Sequence, residues 1–450
     1  MSKVIKIKKG LNINLKGQAE KVLVNTETAH TYAVKPTDFT GITPKLSVKE
    51  NAPVKAGTAL FYDKYNPEVK FTSPVSGKVL KIVRGERRKI LEIVIESDGK
   101  AEYVPFTKGA PGDIDKQTII ENLLNSGLWP VIKMRPYGVI AKPADTPKAI
   151  FISSFDSAPL GVDYNFILNN SEKAFQTGID ALSKLTDGKI HIGMEDGVAP
   201  CAAIKNASGI EINQYSGKHP AGNVGTQIHH TDPINKGEIV WTIEPQEVVA
   251  IGRLFTEGKY DASKIVALAG SEVSKPQYYK VINGAKIESI TKGNITGNNV
   301  RFISGNVLSG TRVDASGYLS YYGSLVSVIP EGNHYEFMGW VAPGFNKFSV
   351  SRTFFSWLTP KKKYTIDTNL KGGLRALMIT GSFEKVFPFD IFPMQLIKAV
   401  IIEDIDLMEK LGIYEVVEED FALCEFVDTS KTDIQAIVRK GLDLMLKEMS

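Results

Sequence analysis

Three histidines fall within twelve residues and are potential metal ligands. His219, His229 and His230 lie in KHPAGNVGTQIHH (218–230), and Asp232 follows them. Imidazole and carboxylate groups bind zinc and other transition metals. The spacing lacks a rigid pattern such as HExxH, and the two intervening glycines predict a loop. We therefore expect a polar loop or a subunit contact, with a metal site as the weaker alternative, and we predict no bound metal.

Other motifs that could support catalysis or ligand binding give only weak signals. The two cysteines, Cys201 and Cys424, are too far apart to suggest a metal knuckle, and so few thiols predict a reducing compartment. The glycine-containing stretch SGNVLSGT (304–311) lacks the GK[ST] ending of a phosphate-binding loop. Neither feature predicts catalysis, and we assign no catalytic residue to this chain.

Aromatic and basic side chains alternate in the stretch FMGWVAPGFNKFSVSRTFFSWLTPKKK (337–363). This composition predicts a docking surface for membrane-embedded partner subunits or for lipid headgroups. An internal clamp between domains is the alternative, because the basic groups can simply face water. The candidate docking residues are Lys347, Arg352, Phe354, Phe355, Trp357, Lys361, Lys362 and Lys363.

Composition narrows the class of protein. The 450 residues are 43% hydrophobic and 23% charged, which is typical of a globular chain of several domains. Lys and Arg number 54 against 50 Asp and Glu, so the chain is only mildly basic. Nucleic-acid binding needs a concentrated basic face, which this balance does not predict. The N-terminus has no signal-peptide core, and no run of about 18 apolar residues predicts a membrane span. We expect the protein to fold in the cytoplasm.

Hydrophobic periodicity predicts a multidomain α/β protein. Short Val- and Ile-rich runs broken by Gly, Pro and Asn predict an all-β domain up to about residue 99. Buried strands at 148–156 and 189–196, separated by an amphipathic helix and followed by another at 245–258, predict a Rossmann-like layer. Residues 263–330 are β-rich with many glycines, 331–375 look irregular, and 393–450 have helical periodicity, with a capping box Ser430-x-x-Asp433. The predicted domain bounds are 1–104, 105–258, 259–332, 333–375 and 376–450.

Seven motifs in order resemble one family, the A subunit of the Na⁺-translocating NADH:quinone reductase. They are IKIKKGLNI (5–13), NPEVKFTSPVSGKVL (66–80), SGLWPVIKMRPY (126–137), KHPAGNVGTQIHH (218–230), RFISGNVLSGT (301–311), NKFSVSRTFFSWL (346–358) and EEDFALCEFV (418–427). The resemblance covers essentially the full length. It implies a barrel-sandwich hybrid (lipoyl-like) domain, a Rossmann-like α/β domain, a β-grasp-like SLBB domain and a helical C-terminal domain resembling a ferredoxin-type domain without its clusters.

The family is related to the flavin- and NADH-binding subunit of respiratory complex I, whose glycine-rich loop lets backbone N–H groups approach phosphate. The corresponding stretch here is residues 126–135, where Gly127 is the remaining glycine and Trp129 and Pro130 follow. Side chains there obstruct an anion, and Pro has no N–H to donate. We therefore expect neither FMN nor NADH in that pocket.

The C subunit of the Rnf complex, a nearer relative, carries two C-x₂-C-x₂-C-x₃-C-P runs that hold iron–sulfur clusters. The ligand positions of the first run align on Leu377, Thr380, Phe383 and Phe387, and those of the second on Glu418, Phe421, Cys424 and Asp428. One thiol of eight remains, which cannot hold a four-iron cluster. We predict that Cys424 is an ordinary buried thiol.

The resemblance implies a peripheral subunit on the cytoplasmic face of the bacterial inner membrane, attached through partner subunits. Flavins, Fe–S centres and NADH are expected on those other subunits, with ubiquinone contact as a hypothesis for this chain. A quinone needs an apolar slot with a few hydrogen-bond donors, which two mixed stretches, 32–45 and 129–137, can supply. The quinone-proximal candidates are Phe39, Thr40, Thr43, Trp129, Met134, Arg135 and Tyr137.

Three alternatives remain open at this point. The chain is a purely structural docking subunit, or an Rnf-type electron-transfer subunit with flavin and Fe–S centres, or a carrier modified at Lys64. Lys64 stands near the turn of the lipoyl-like domain, but its ten-residue distance from Pro74 exceeds the usual spacing. We expect an ordinary turn lysine.

Overall fold

The computed structural model describes residues 4–26 and 28–449. Its strands are β1 (Val4–Ile7), β2 (Glu20–Asn25), β3 (Thr31–Val34), β4 (Pro44–Leu46), β5 (Pro53–Val54), β6 (Ala59–Asp63), β7 (Lys70–Thr72), β8 (Gly77–Arg84), β9 (Ile90–Ser97), β10 (Lys133–Arg135), β11 (Val139–Ile140), β12 (Ala149–Ser153), β13 (Lys189–Glu195), β14 (Glu211–Gly217), β15 (Val240–Thr242), β16 (Ser263–Ala269), β17 (Gln277–Ile282), β18 (Val300–Ser304), β19 (Thr311–Val313) and β20 (Leu325–Pro330). Its α-helices are α1 (Lys116–Ser126), α2 (Tyr164–Ile167), α3 (Glu172–Ser183), α4 (Ala202–Lys205), α5 (Val224–Thr231), α6 (Pro245–Glu257), α7 (Glu288–Thr291), α8 (Phe383–Val386), α9 (Pro393–Ile401), α10 (Ile405–Lys410), α11 (Ala422–Val427) and α12 (Ile434–Met449).

Two small antiparallel sheets form the N-terminal β domain. One has the order β3-β9-β8-β5 and the other β4-β6-β7. Alternating apolar residues of both sheets face inward, where the rings of Phe61 and Phe71 stack with centroids 4.5 Å apart. Lys64 lies in the turn between β6 and β7, where the sequence placed it.

The first two strands pair with other parts of the chain. β1 runs parallel to β14 of the α/β sheet, and β2 runs parallel to β17 of the third sheet. Both partners are some 200 or more residues away, so local periodicity cannot reveal the pairing. As a result, the N-terminal segment connects three structural units, although the sequence assigned all of it to the first.

The α/β domain has the sheet order β1-β14-β13-β12-β15-β10-β11. The predicted strands at 148–156 and 189–196 are β12 and β13, which lie parallel at its centre. Helices α3 and α6 pack closely because they cross at glycines. A Cβ on Gly252 would stand 1.7 Å from the carbonyl oxygen of Ala174, and one on Gly178 would stand 2.1 Å from that of Val248.

The order of the strands creates a crevice in this sheet. From β12 the chain continues to β13 and β14 on one side and later returns to place β15 on the other side. Both β13 and β15 are parallel to β12. In open α/β sheets, ligands bind outside the carboxyl ends of strands where the order reverses in this way. A ligand site is therefore expected at the gap between the ends of β12 and β15.

The remaining sheet has the order β19-β18-β20-β16-β17-β2, with α7 packed beside it. Residues 331–375 then follow without strands or α-helices, apart from a 3₁₀ turn at Phe355–Leu358, as the sequence predicts. The C-terminal helices α8 to α12 pack around a second hydrophobic core, to which the N-terminal segment, the region of α2 and the third sheet also contribute buried residues. None of the helices in the described chain has both the length and the apolar character needed to cross a bilayer.

The predicted capping box at the last helix was wrong in detail. α12 begins at Ile434, and the Asp433 carboxylate accepts the N–H of Ala436 at 3.3 Å. Asp433 is therefore the capping side chain, while the Ser430 hydroxyl donates to the Ala376 carbonyl at 2.9 Å. The predicted apolar stripe is largely confirmed, since Ile434, Val438, Leu442 and Met445 are buried and Ile437 is half-buried.

Candidate functional site

A cleft of about 400 Å³ opens at the carboxyl ends of β12 and β15. Four parts of the chain line it: the N-terminal β domain through Thr40, the α/β domain with its β10 hairpin, the region of the third sheet and the C-terminal domain. Its ionisable lining residues are Asp156, Glu244, Glu247, Glu418 and Glu419 on the acidic side and Lys133 and Arg135 on the basic side. The site is therefore predominantly acidic.

Arg135 lies at the end of β10 and is buried. Its Nη1 donates to Asp420 Oδ2 and its Nη2 donates to Glu419 Oε1, each at 2.7 Å. Gly225 allows this approach, because a Cβ there would lie 2.5 Å from both the guanidinium and the Asp420 carboxylate. The guanidinium thus links the α/β domain to the C-terminal domain. Both terminal nitrogens of Arg135 already bind carboxylates. Its role as a hydrogen-bond donor to a ligand therefore stays a prediction.

Trp129 and Met134 are buried side chains of the hydrophobic core. The Trp129 Nε1–H donates to the Ala141 carbonyl at 2.7 Å, and its ring meets Trp241 edge to face with centroids 5.7 Å apart. Neither candidate lines the cleft. Their positions are explained by packing.

Thr40 lines the same cleft as Arg135, so the two stretches singled out in the sequence do converge. Phe39 is buried beside it, with its ring centroid 5.7 Å from that of Tyr322, which is also a lining residue. Thr43 is exposed, and its N–H is bonded to Asp63 at 2.9 Å. Tyr137 packs against Tyr414 outside the cleft, with centroids 6.3 Å apart.

Three acidic or phenolic groups that define the cleft were not predicted from the sequence. Glu244, two residues after β15 and at the N-cap of α6, accepts from Ser324 Oγ at 3.1 Å and from the Tyr164 hydroxyl at 3.5 Å. Burial raises the pKa of Glu244, and burial raises the pKa of Asp156 to about 6. Burial also raises the pKa of Tyr164 well above its usual value, so this phenol stays protonated. Polar residues that directly follow buried strands are the signal that would have located them.

Lys133 supplies the main positive charge of the cleft besides Arg135. Its ammonium lies 3.8 Å from the ring centroid of Tyr322, a cation–π contact. The Tyr322 hydroxyl donates to the Pro130 carbonyl at 2.7 Å, which fixes the ring. A ligand in the cleft would therefore meet an ammonium donor above an aromatic face.

The stretch aligned with the flavin loop is covered by other parts of the chain. Gly127 ends α1 in the left-handed conformation, with φ 78°. A Cβ at this position would lie 2.3 Å from Thr72 Oγ1 of the N-terminal domain. The Gly127 carbonyl accepts the Tyr321 hydroxyl at 3.1 Å. The remaining glycine is thus required for a helix end and a domain contact.

Four of the eight positions aligned with cluster ligands lie in one core. Phe383, Phe387, Phe421 and Cys424 are all buried there, and the rings of Phe387 and Phe421 have centroids 4.8 Å apart. Burial raises the pKa of the Cys424 thiol well above its usual value, which disfavours the thiolate that binds iron. Phenyl rings therefore occupy the space between these positions.

The other aligned positions have ordinary structural roles. The Asp428 carboxylate accepts the N–H groups of Ser430 and Thr432, each at 2.9 Å. Glu418 pairs with Arg439 at 3.2 Å. Leu377 packs at the edge of the C-terminal core, and Thr380 is exposed.

The histidines of the 218–230 stretch bind different partners. His229 contacts Glu415 through Nδ1 at 2.6 Å, and His219 contacts the Ser157 hydroxyl through Nδ1 at 3.0 Å. His230 Nδ1 lies 2.9 Å from the Thr226 carbonyl, and Asp232 binds Lys148. Across residues 4–26 and 28–449, no three His, Cys, Asp or Glu residues form a group suited to a metal ion. The predicted loop was wrong for the second half of the stretch, because residues 224–231 form α5. His229 makes the contact with the C-terminal domain, whereas the other three side chains bind within the α/β domain.

The predicted docking residues lie on a partly self-contacting surface. The Lys347 ammonium is 5.3 Å from the Phe354 ring centroid, and the Arg352 guanidinium is 5.2 Å from that of Trp357. Phe355 and Trp357 remain about half exposed. Lys361 and Lys363 are exposed, whereas Lys362 donates to the Phe345 carbonyl at 2.9 Å. The exposed rings favour a docking surface, which stays a prediction.

Comparison with protein families assigns three regions of the chain. The NqrA N-terminal barrel-sandwich hybrid domain matches residues 5–98, and the NqrA second alpha/beta domain matches residues 114–260. The NQRA C-terminal domain, of SLBB type, matches residues 265–315. The predicted fold class, with its barrel-sandwich hybrid, α/β and SLBB units, is confirmed.

Curated relatives match over nearly the whole chain. The A subunit of the Na(+)-translocating NADH-quinone reductase from Neisseria meningitidis serogroup C is 39% identical over 449 residues, which is 99% of this chain and 100% of the relative. The protein of the same name from Yersinia pestis bv. Antiqua is also 39% identical, with the same coverage. A solved NAD⁺-reducing [NiFe]-hydrogenase aligns with 76% of this chain and 64% of its own at 12% identity, with a TM-score of 0.37. The chain belongs to the family formed by the A subunits of Na⁺-translocating NADH-quinone reductases.

Proposed function

We propose that this chain is a peripheral subunit of a Na⁺-translocating NADH-quinone reductase that carries no redox cofactor of its own. It lies at the cytoplasmic face of the bacterial inner membrane and is attached through partner subunits. Flavins, Fe–S centres and the NADH site belong to those partners. The observation that carries the proposal is the aromatic core in which Phe387 and Phe421 pack together where cluster ligands would be required.

The charge of the cleft gives independent support. A nucleotide placed at the ends of β12 and β15 would bring phosphate close to Asp156 and Glu244. Arg135 cannot compensate, because Glu419 and Asp420 already neutralise it. Like charges in a partly buried cleft repel strongly, since the local dielectric constant is lower than that of water. A neutral ligand avoids this cost.

Isolation of the chain from the assembled reductase tests the cofactor-free role. The reductase is purified, the subunits are separated under mild conditions, and flavin, iron and acid-labile sulfide are measured in each. We expect none of them in stoichiometric amounts on this chain. A flavin or a cluster at one equivalent per chain would instead support the Rnf-type alternative. The intact mass of the same sample checks Lys64, where we expect no added group.

Quinone contact is the second candidate function, and the geometry of the cleft favours it. Thr40 and Lys133 come from the two stretches that the sequence singled out, and both line the cleft. Quinone carbonyl oxygens accept hydrogen bonds, which the Lys133 ammonium can donate. The headgroup can lie against Tyr322. We propose that a ubiquinone headgroup binds there, while purely structural docking remains the alternative.

Photo-crosslinking tests the quinone contact directly. A photoreactive azido-quinone, added to the whole reductase, should label peptides that contain Thr40 or Lys133, and unlabelled quinone should compete. Lys133→Gln should reduce labelling, whereas Lys142→Gln, at an exposed lysine outside the cleft, should not. Labelling confined to the membrane subunits would reject the contact and leave the docking role.

A further inference from the structure

A long closed loop projects the most exposed aromatic side chains of the protein. We define the aromatic loop as residues 333–367. Its two ends meet, because the Thr368 hydroxyl donates to Glu331 at 2.7 Å and accepts the N–H of Gly332 at 2.8 Å. Arg301 forms an ion pair with the same glutamate. Loops of this length without regular secondary structure are uncommon in compact domains and usually have a function.

The base of the aromatic loop is anchored to the rest of the protein. The Tyr364 N–H donates to the Asn14 carbonyl at 2.7 Å, and the Phe348 ring packs against Phe426 with centroids 5.8 Å apart. Ser356 is buried. These contacts fix the orientation of the loop relative to the C-terminal domain.

The loop also makes contacts within itself. The Lys347 ammonium donates to the Gly339 carbonyl at 2.6 Å, and the Phe355 N–H donates to the Pro343 carbonyl at 2.9 Å. The rings of Phe345 and Phe355 meet at a centroid distance of 5.7 Å. Since its own contacts hold the loop together, the aromatic side chains are presented on a folded surface.

The outward side chains are unusually apolar for a surface exposed to water. Tyr335 is 97% exposed, Phe337 93% and Trp340 76%. Phe345, Phe355 and Trp357 are about half exposed. Exposed apolar groups concentrated in one segment indicate a contact with another protein or with a membrane.

The charge of the loop distinguishes between these two partners. It contains five Lys or Arg residues against two Asp or Glu residues, and Lys361 to Lys363 are consecutive. Lysine is depleted in protein interfaces, whereas Trp, Tyr and Lys together are typical of the boundary between bilayer and water. Backbone without regular hydrogen bonding cannot enter the hydrocarbon layer, so the contact is limited to headgroup depth.

We propose that the aromatic loop is a membrane-contact site that places its rings among anionic phospholipid headgroups, with Lys361 and Lys363 facing the lipid phosphates. This proposal rests on the peripheral location in the proposed function and adds the surface that approaches the bilayer. It does not depend on the cofactor-free role, which the flavin and iron measurements decide separately.

Vesicle binding of the full chain tests the proposal. Vesicles of phosphatidylethanolamine with phosphatidylglycerol should bind the chain, and phosphatidylcholine vesicles should bind it far less. The triple change Phe337→Ser, Trp340→Ser and Phe355→Ser should weaken binding by roughly tenfold or more, because exposed apolar area no longer enters the interface. Lys361→Gln with Lys363→Gln should weaken it about fivefold per lysine, and added salt should have a similar effect.

Matched controls at other exposed sites show whether the effect is specific to the loop. Tyr65→Ser removes an exposed aromatic ring, and Lys81→Gln with Lys89→Gln removes two exposed charges, all in the N-terminal domain. These changes should leave vesicle binding unaltered. Circular dichroism and thermal unfolding confirm that each variant folds.

Two outcomes would overturn the proposal. Equal binding to both kinds of vesicle by wild type and loop variants would exclude a headgroup contact. Absence of vesicle binding, combined with loss of the loop variants from the assembled reductase, would assign the loop to a partner protein. Anionic-vesicle binding that the loop changes abolish and the controls retain would support it.

Discussion

Two aromatic-rich regions of this protein use their side chains in opposite ways. In the C-terminal core, Phe387 and Phe421 are buried at positions aligned with cluster ligands. In the aromatic loop, Phe337 and Trp340 face water. In the first region the rings pack against one another and are shielded from water. The second exposes apolar surface to water, so the core bears on the proposed absence of a redox centre and the loop bears on the proposed membrane contact.

The largest expected loss of stability comes from a substitution in the buried aromatic core. Phe421→Ala removes a ring from a closely packed core and leaves a cavity, which should lower the free energy of unfolding by about 3–5 kcal/mol. Urea unfolding followed by fluorescence measures the change. A loss below about 1 kcal/mol would mean that the core is loosely packed, contrary to the account.

Removal of the buried cation should have the next largest effect. Arg135→Leu leaves Asp420 buried without its partner and should cost about 3 kcal/mol. Arg135→Lys keeps a charge but loses the bidentate geometry, and it should cost less. Limited proteolysis should show earlier cleavage between the α/β and C-terminal domains in the leucine variant. Unchanged stability in that variant would contradict the assigned link between the domains.

The cleft is neither a closed core nor an exposed loop, and the pKa of Asp156 shows how strongly burial affects its charged groups. Its folded-state pKa, raised by burial to about 6, exceeds the ordinary value of 3.8. Ionisation therefore destabilises the folded state progressively as pH rises from about 4 through about 6. Asp156→Asn does not ionise, so over that range its stability relative to wild type should rise by on the order of 2 kcal/mol. Urea midpoints at several pH values test this, and parallel pH profiles for the two proteins would contradict it.

The smallest change in stability is expected from a substitution in the exposed aromatic loop. Trp340→Ser should change the free energy of unfolding by no more than about 0.5 kcal/mol, because the ring has few contacts to lose. The same urea measurement applies. A loss comparable to that of Phe421→Ala would show that the ring is buried in the folded chain and would remove the contrast between core and loop.

The sequence predicts well wherever local pattern determines structure. The strands at 148–156 and 189–196, the helix at 245–258 and the irregular stretch at 331–375 all follow from periodicity or its absence. Family resemblance added the order of the domains. Pairing of β1 and β2 with distant strands was not foreseeable, because nothing near those residues specifies the partner.

The site was less predictable than the fold. The two stretches proposed for quinone contact meet at the cleft through Thr40 and Arg135, whereas Trp129 and Met134 are core residues. Aromatic composition alone does not distinguish a ligand slot from packing. Asp156 and Glu244 were missed because isolated carboxylates become significant only when strand order brings them to one edge of a sheet.

We propose that this protein does not hold a redox centre, and cofactor loading of the purified full chain tests this proposal most directly. The chain is incubated with FMN, and separately with ferrous iron and sulfide without oxygen, and bound cofactor is measured after gel filtration. We predict well below one equivalent of either, with no visible flavin or thiolate-to-iron absorption. One FMN or one four-iron cluster per chain would contradict the account.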